Sequence, residues 1–152
     1  MTDLAALYVL IRRFEGCRLM PYICPAGVWT CGWGSTGPDV FPGKPWTQEY
    51  ADYRLKIDAE KFARGTHLLC PFLDGDQLCA IADFSYNLGL GRLKASTLRR
   101  RLNSGDIDGA ANELRKWIMG GGKKLPGLVL RREVECTLLM NPCSLENTRN
   151  TG

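Results

Sequence analysis

The sequence predicts an α+β fold, with a mainly helical body, a small antiparallel β-lobe near the N-terminus and a cleft between the two. Three observations point there. Apolar residues recur at helical spacing in several segments between Leu7 and Leu139, the stretch from Cys17 to Gly37 changes to short β-prone runs cut by Pro and Gly, and a loop holding Pro38, Pro42, Gly43 and Pro45 leads back to helical patterning. With 152 residues and 45% hydrophobic content, the chain suits one soluble domain and has little room for two cores. The expected division is a β-lobe over about 15–45, a body from 1–14 and 46–140, and a polar, frayed tail over 141–152.

The first helix is read from Leu7, Leu10, Ile11 and Phe14, which share one face of a helix beginning near Thr2 or Asp3, with Gly16 as its stop. Tyr22 and Val28-Trp29-Thr30 mark strands of a tightly turned meander among Pro21, Pro25, Gly27, Gly32, Gly34 and Gly37. Thr47 is a plausible N-cap, with Glu49 in the first turn, for a helix reaching about Ala63. Further helices are expected at about Asp76–Leu88, Ser96–Leu102, Asp106–Ile118 and Leu128–Leu139, with Gly120-Gly121-Gly122 separating the last two. No internal repeat is visible.

Composition removes several classes of function. The longest apolar run, Leu4–Ile11, is eight residues, against the roughly 20 that a membrane span needs, so no stable membrane insertion is expected. Seven cysteines, Cys17, Cys24, Cys31, Cys70, Cys79, Cys136 and Cys143, are an odd number and too sparse for a disulfide scaffold. With no basic n-region and h-region at the start, folding in a reducing cytoplasm with mostly free thiols is expected. His67, Cys70 and Cys79 lack the paired spacings of a zinc site, and neither a metal nor an organic cofactor is implied.

The carboxyl group of Glu15 lies at the exit of the first helix. Unsatisfied carbonyls there carry partial negative charge, and apolar neighbours remove water, so both effects favour a protonated acid. Such an acid is what cleavage of a glycosidic bond needs, because the leaving oxygen takes up a proton as the bond breaks. Position alone favours a solvated helix-end carboxylate.

The run Glu15-Gly16, Pro21-Tyr22 and Gly27-Val28-Trp29-Thr30-Cys31-Gly32-Trp33-Gly34-Ser35-Thr36 resembles the phage-type lysozymes, glycoside hydrolase family 24, to which phage endolysins belong. The family pattern is a Glu, eight residues, an Asp or sometimes a Cys, five residues and a Thr, and Glu15, Cys24 and Thr30 fall on it. The likeness continues through Phe84-Ser85-Tyr86-Asn87-Leu88-Gly89, Ser96-Thr97-Leu98, Leu102-Asn103-Ser104-Gly105-Asp106, Trp117, Gly120-Gly121, Gly127-Leu128, Arg131-Arg132 and Glu135.

The resemblance implies a lysozyme-like domain that hydrolyses the bond between N-acetylmuramic acid and N-acetylglucosamine in peptidoglycan during host lysis. Glu15 would be its general acid, and Thr30, otherwise an ordinary β-branched strand residue, would hold the attacking water. Cys24 stands where Asp is commoner; it can be a thiolate base, a sulfur nucleophile or a non-essential placeholder. Ser35 replaces a His often found after the Gly-aromatic-Gly turn. Matching positions suggest Tyr86, Asn87, Ser96, Thr97 and Arg131 for sugar binding, although capping competes for Asn87 and Thr97. The four tryptophans, Trp29, Trp33, Trp46 and Trp117, are read as core more than as sugar platforms.

Twenty Lys+Arg against 16 Asp+Glu leave a formal charge of +4, concentrated in Arg99-Arg100-Arg101, Lys123-Lys124 and Arg131-Arg132. These are read as solvated helix faces that also attract an anionic envelope, and no nucleic-acid motif accompanies them. A monomer is expected, held in the host cytoplasm until a holin opens the membrane and then acting at the periplasm and wall. The rivals are a lytic transglycosylase on the same bond and a non-catalytic wall-binding module.

Overall fold

A computed structural model describes residues 3–142, so most of the tail expected over 141–152 falls outside the described residues. The chain runs α1 (Ala5–Glu15), β1 (Arg18–Ile23), β2 (Trp29–Gly32), β3 (Ser35–Thr36), α2 (Gln48–Leu69), α3 (Gly75–Leu88), α4 (Leu90–Ala95), α5 (Thr97–Asn103), α6 (Ile107–Leu114), β4 (Met119–Gly120), β5 (Lys123–Lys124) and α7 (Pro126–Met140). The α+β class read from the sequence is the observed one: a small three-stranded antiparallel sheet, in the order β1-β2-β3, precedes a helical body.

The body is built around α3, whose residues Leu78 to Phe84 are buried all round, with α1, α2 and α7 laid against it. On one side Leu7 and Ile11 of α1 meet Leu55, Ala59 and Ala63 of α2 and Ala82 of α3. On the other, Phe84 and Ile81 pack with Leu98, Leu102, Leu114 and Leu139, and Trp117 crosses the Phe84 ring edge to face at 5.5 Å. Trp117 and the buried Trp46 serve the core as expected, whereas Trp29 is exposed.

The lobe keeps Tyr22 opposite Thr30, with an irregularity between Arg18 and Tyr22 that contains Pro21. Proline has no N–H to give the ladder, so the register slips there. Helix α2 spans lobe and body, about 30 Å at 1.5 Å per residue. Its N-terminal half exchanges hydrogen bonds with the lobe: Asp52 accepts from Trp33 Nε1 at 2.8 Å, Asp58 accepts from Ser35 Oγ at 2.6 Å, and Arg54 Nη2 donates to the Thr36 carbonyl at 3.0 Å.

Four boundaries differ from the sequence reading. Helix α2 runs past Ala63 to Leu69, because Gly65 is the notch into which Leu90 packs; a Cβ there would lie 2.5 Å from Leu90 Cδ1. The extra helix α4 follows Gly89, whose φ of 96° ends α3 without ending the helical run. Helix α6 stops at Leu114, and the glycines read as a separator form a hairpin, with Gly121 and Gly122 at φ 56° and 78° between β4 and β5. Helix α7 begins at Pro126, where a missing N–H costs nothing.

Candidate active site

Glu15 is the last residue of α1, and Gly16 at φ 67° turns the chain away into β1. Its side chain is 23% exposed. Oε1 accepts a hydrogen bond from Arg131 Nη1 at 2.8 Å, while Oε2 faces Gly34 in the β2–β3 turn, where an added Cβ would sit 3.1 Å away. The Tyr86 ring borders the same space, 3.6 Å from that point, and its hydroxyl donates to the Trp33 carbonyl at 2.6 Å. The lobe turn is thereby tied to α3 directly over the acid.

The sequence reading of Glu15 as a helix-end group among apolar neighbours leaves out this guanidinium. Arg131 is 3% exposed and is itself gripped by Asp83, whose Oδ2 and Oδ1 accept from Nε and Nη2 at 2.8 Å each. Burial works against the charged guanidinium, but the hydrogen bonds and charge of Asp83, followed by Glu15, outweigh it and hold Arg131 more firmly protonated than a free arginine. Arg131 therefore arrives at Glu15 already neutralised by Asp83, as a fixed donor more than as a loose cation.

Arg132 is 0% exposed and donates from Nη2 to Asn87 Oδ1 at 2.7 Å and to Glu135 Oε2 at 3.2 Å. Its Nε approaches Glu135 Oε1 to 2.7 Å at an angle that makes no hydrogen bond. Burial raises Glu135 well above the usual carboxylate range and lowers Arg132, so each loses part of its preference for charge. The expectation that Arg131-Arg132 adds to a positive surface is thus corrected. One face of α7 is buried on α3, and cations placed there need carboxylates, which Asp83, Glu135 and Glu15 supply.

The lobe side is made differently. The turn joining β1 to β2 is closed by Cys24 N donating to the Val28 carbonyl at 2.9 Å and Gly27 N to the Cys24 carbonyl at 2.8 Å. The half-buried Cys24 thiol is drawn below its ordinary value, chiefly by the backbone N–H of Val28 against some burial, with the Ala26 N–H adding to it. Burial instead pushes Cys70, Cys79 and Cys136 up to about 11, as inert packing thiols. Thr30 is 4% exposed, and its Oγ1 donates to the Val28 carbonyl at 2.9 Å. A hydroxyl has one proton, so in that state Thr30 can only accept from a group on its other side. Tyr22, paired with Thr30, is raised by burial and then by Glu15, with Cys24 a smaller contributor, which places acid and thiol in one electrostatic neighbourhood.

Of the other expected residues, Tyr86 and Asn87 line the junction of α3 with the lobe and α7 through the bonds just described. Ser96 caps α5, accepting from Arg99 N at 3.0 Å and donating to the Leu93 carbonyl at 2.7 Å. Thr97 Oγ1 accepts from Arg100 Nη2 at 2.7 Å. Ser35, in the place of the family's His, donates to Asp58 as noted and is 1% exposed. Asp83 was not singled out from the sequence. Its signal is a lone carboxylate within Leu78–Phe84, a helical stretch otherwise apolar, where burial demands a partner.

The family model "Phage lysozyme" matches residues 12–135. The chain belongs to the phage lysozyme family. The match takes in Glu15 and Arg131 alike, and so both ends of the ion-paired network. The chain is 41% identical over 146 residues to an endolysin of Bacillus phage B103, covering 94% of this chain and 56% of that protein. It is also 41% identical over 125 residues to a SAR-endolysin of Bacteriophage PS119, covering 80% and 73% respectively. This lysozyme-family chain therefore spans little more than half of the first relative. Among solved structures, the muramidase domain of SpmX from Asticaccaulis excentricus superposes with a TM-score of 0.82 at 29% identity, over 93% of this chain and all of that one. No helix among the described residues is long and apolar enough to cross a membrane.

Proposed function

We propose that this phage lysozyme-family chain is a muramidase that hydrolyses the glycosidic bond between N-acetylmuramic acid and N-acetylglucosamine in peptidoglycan, with Glu15 as proton donor. The observation that carries the reading is the split environment of the Glu15 carboxyl: Oε1 is fixed by Arg131, and Oε2 is presented towards the lobe turn at Gly34. A carboxyl anchored at one oxygen and bare at the other is oriented for transfer from the bare side.

In the proposed cycle Glu15 gives its proton to the bridging oxygen as the bond to the muramic acid anomeric carbon breaks. Positive charge developing on the ring is quenched by a water held against Thr30. Cys24 takes the proton released by that water, because its N–H-lined turn favours the thiolate. The thiol then returns a proton to solvent, Glu15 regains one, and both groups are restored. The lowered thiol value supports a thiolate, as base or nucleophile, over the placeholder, and attack by a Thr30-held water takes it as base. Tyr86, Asn87 and Thr97 are proposed to meet the sugar, with Ser96 and Arg131 acting through the residues they hold. The three-stranded lobe and the helical body would work as one domain.

Lysis of permeabilised Gram-negative cells tests this, with wild type and Glu15→Gln compared side by side. Loss of the acid is expected to cost about 10²–10⁴-fold in rate; equal rates would overturn the assignment. Mass spectrometry of the products adds a second check, with reducing ends expected and anhydro ends pointing to transglycosylation. Wall binding without turbidity loss would indicate a binding module. Release from the host cytoplasm is proposed to need a holin and the active species to be a monomer. Lysis timed by holin co-expression, and a monomeric mass by light scattering, are the expected results.

A further inference from the structure

A second surface, on the body, gathers cations without carboxylates. A groove of about 470 Å³ along α4 and α5 is lined by Lys94, Arg99, Arg100, Asn103, Ser104 and their neighbours, with no Asp or Glu in its lining. Three other cations of the body lie against carboxylates: Arg101 meets Asp106 at 3.2 Å, Arg115 meets Glu133 at 2.9 Å and Lys116 meets Glu113 at 2.8 Å. Here the guanidiniums are held by neutral acceptors. Arg99 donates from Nε to the Leu69 carbonyl at 3.0 Å and from Nη1 to the Lys94 carbonyl at 3.3 Å, and Arg100 donates to the Thr97 hydroxyl. Such bonds fix the side chains and leave their charge uncompensated, so the cost of ordering cations for an anion is already met.

The carbonyl that Arg99 grips belongs to Leu69, and the chain on either side of it carries Phe72 and Leu68. At 82% and 79% exposure these are the most exposed large apolar side chains among the described residues. Three residues of chain reach at most about 11 Å, so Phe72 and the groove share one end of the body. A phosphate-bearing polymer would use the cations alone. A bilayer of anionic lipid uses both, cations at the phosphate level and apolar side chains below it.

We propose that this end of the body, through Lys94, Arg99, Arg100 and Phe72, docks reversibly on an anionic phospholipid surface. The contact is peripheral and involves no spanning segment. It would hold a wall-degrading enzyme at the membrane face while Glu15, on the junction between lobe and body, remains the reacting group.

The test is co-sedimentation of the full chain with phosphatidylcholine vesicles containing or lacking phosphatidylglycerol. These vesicles hold no glycan, so the result is independent of the proposed cleavage. Sedimentation is expected only with phosphatidylglycerol, and to fall as salt shortens the screening length from about 10 Å at 0.1 M to about 3 Å at 1 M. Lys94→Gln with Arg100→Gln is expected to weaken partitioning about 30-fold, at about 5-fold per charge, and Phe72→Ser about 10-fold. Val9→Ser and Arg115→Gln, on other surfaces, are expected to leave it unchanged, and unaltered thermal unfolding shows that the variants are folded. Equal sedimentation with pure phosphatidylcholine, or indifference to both the charge and the Phe72 changes, would overturn the proposal. So would tight binding of poly(glycerol phosphate) by wild type and Phe72→Ser alike without any binding to the vesicles, which would assign the groove to a wall polymer.

Discussion

The two sides of the candidate site are built from different materials. On the body side, Glu15 is set by buried ions: Arg131 lies between it and Asp83, with Arg132 and Glu135 behind. On the lobe side, Cys24 and Thr30 are set by backbone groups of a tight turn, with no ion pair. The difference teaches where each side is vulnerable. A buried ionic network fails when one member is removed, because the remaining charge has nowhere to go. A backbone cradle survives side-chain changes and fails when the turn itself is displaced.

Asp83→Asn is the harshest way to break the contrast. Arg131 would keep its charge with half of its partner gone, and at 4% and 0% side-chain exposure no solvent replaces it. A loss of about 3–5 kcal/mol in stability is expected by urea unfolding, together with a lower kcat as Glu15 loses its fixed donor. A loss below 1 kcal/mol would show that the network is not under that tension.

Cys24→Ser probes the opposite side. The cradle should persist, so stability is expected to change little while lytic rate falls about 10–100-fold. The pH profile is the sharper measurement. Because the folded thiol is drawn below its ordinary value, the wild-type rate should rise with pH through that lowered value, and the Ser variant should lack this limb. An unchanged profile would remove Cys24 from the reaction.

Gly34→Ala joins the two sides, since the new methyl would meet Glu15 Oε2 and the residue would hold φ at 91°. A cost of about 1–3 kcal/mol is expected, with a matching fall in activity even though no proposed reacting group is altered. The smallest effect concerns pH. Asp52 is held below the usual carboxylate range by Trp33 and Gln48; burial pushes Asp39 up, but Arg54 and Tyr50 hold it below that range as well. A depressed folded value means that these groups add stability above the ordinary value near pH 4 and lose it as pH falls through their lowered values. Acid should therefore loosen the attachment of the lobe to α2 before the core melts, visible as early loss of amide protection around Trp33 and Ser35.

The same contrast explains what the sequence disclosed. Helix α1, with one apolar face, was legible because burial imposes its period on the chain. Glu15, Cys24 and Thr30 could be named as candidates because one short motif carries all three. The clamp could not be found in this way, since Arg131 lies 116 residues from Glu15 and 48 from Asp83. A pair of adjacent arginines reads as surface until the face they occupy is known. Gly65 shows the limit at a boundary: the helix expected to end near Ala63 runs on past it, and only the position of Leu90 reveals this glycine as a seat for a neighbouring chain segment.

Asp83 and Tyr86 stand three residues apart on one helix, the first holding Arg131 and the second holding the Trp33 carbonyl. Helix α3 thus acts as a jig, setting the separation of the two sides with a single rigid part. Ile81 and Phe84, on the far side of that helix, support its seating in the core. Trimming either one would rotate or sink the jig and misalign Glu15 and the lobe turn together, so this protein's tolerance to change in its interior is bounded by the alignment of its candidate site before it is bounded by melting.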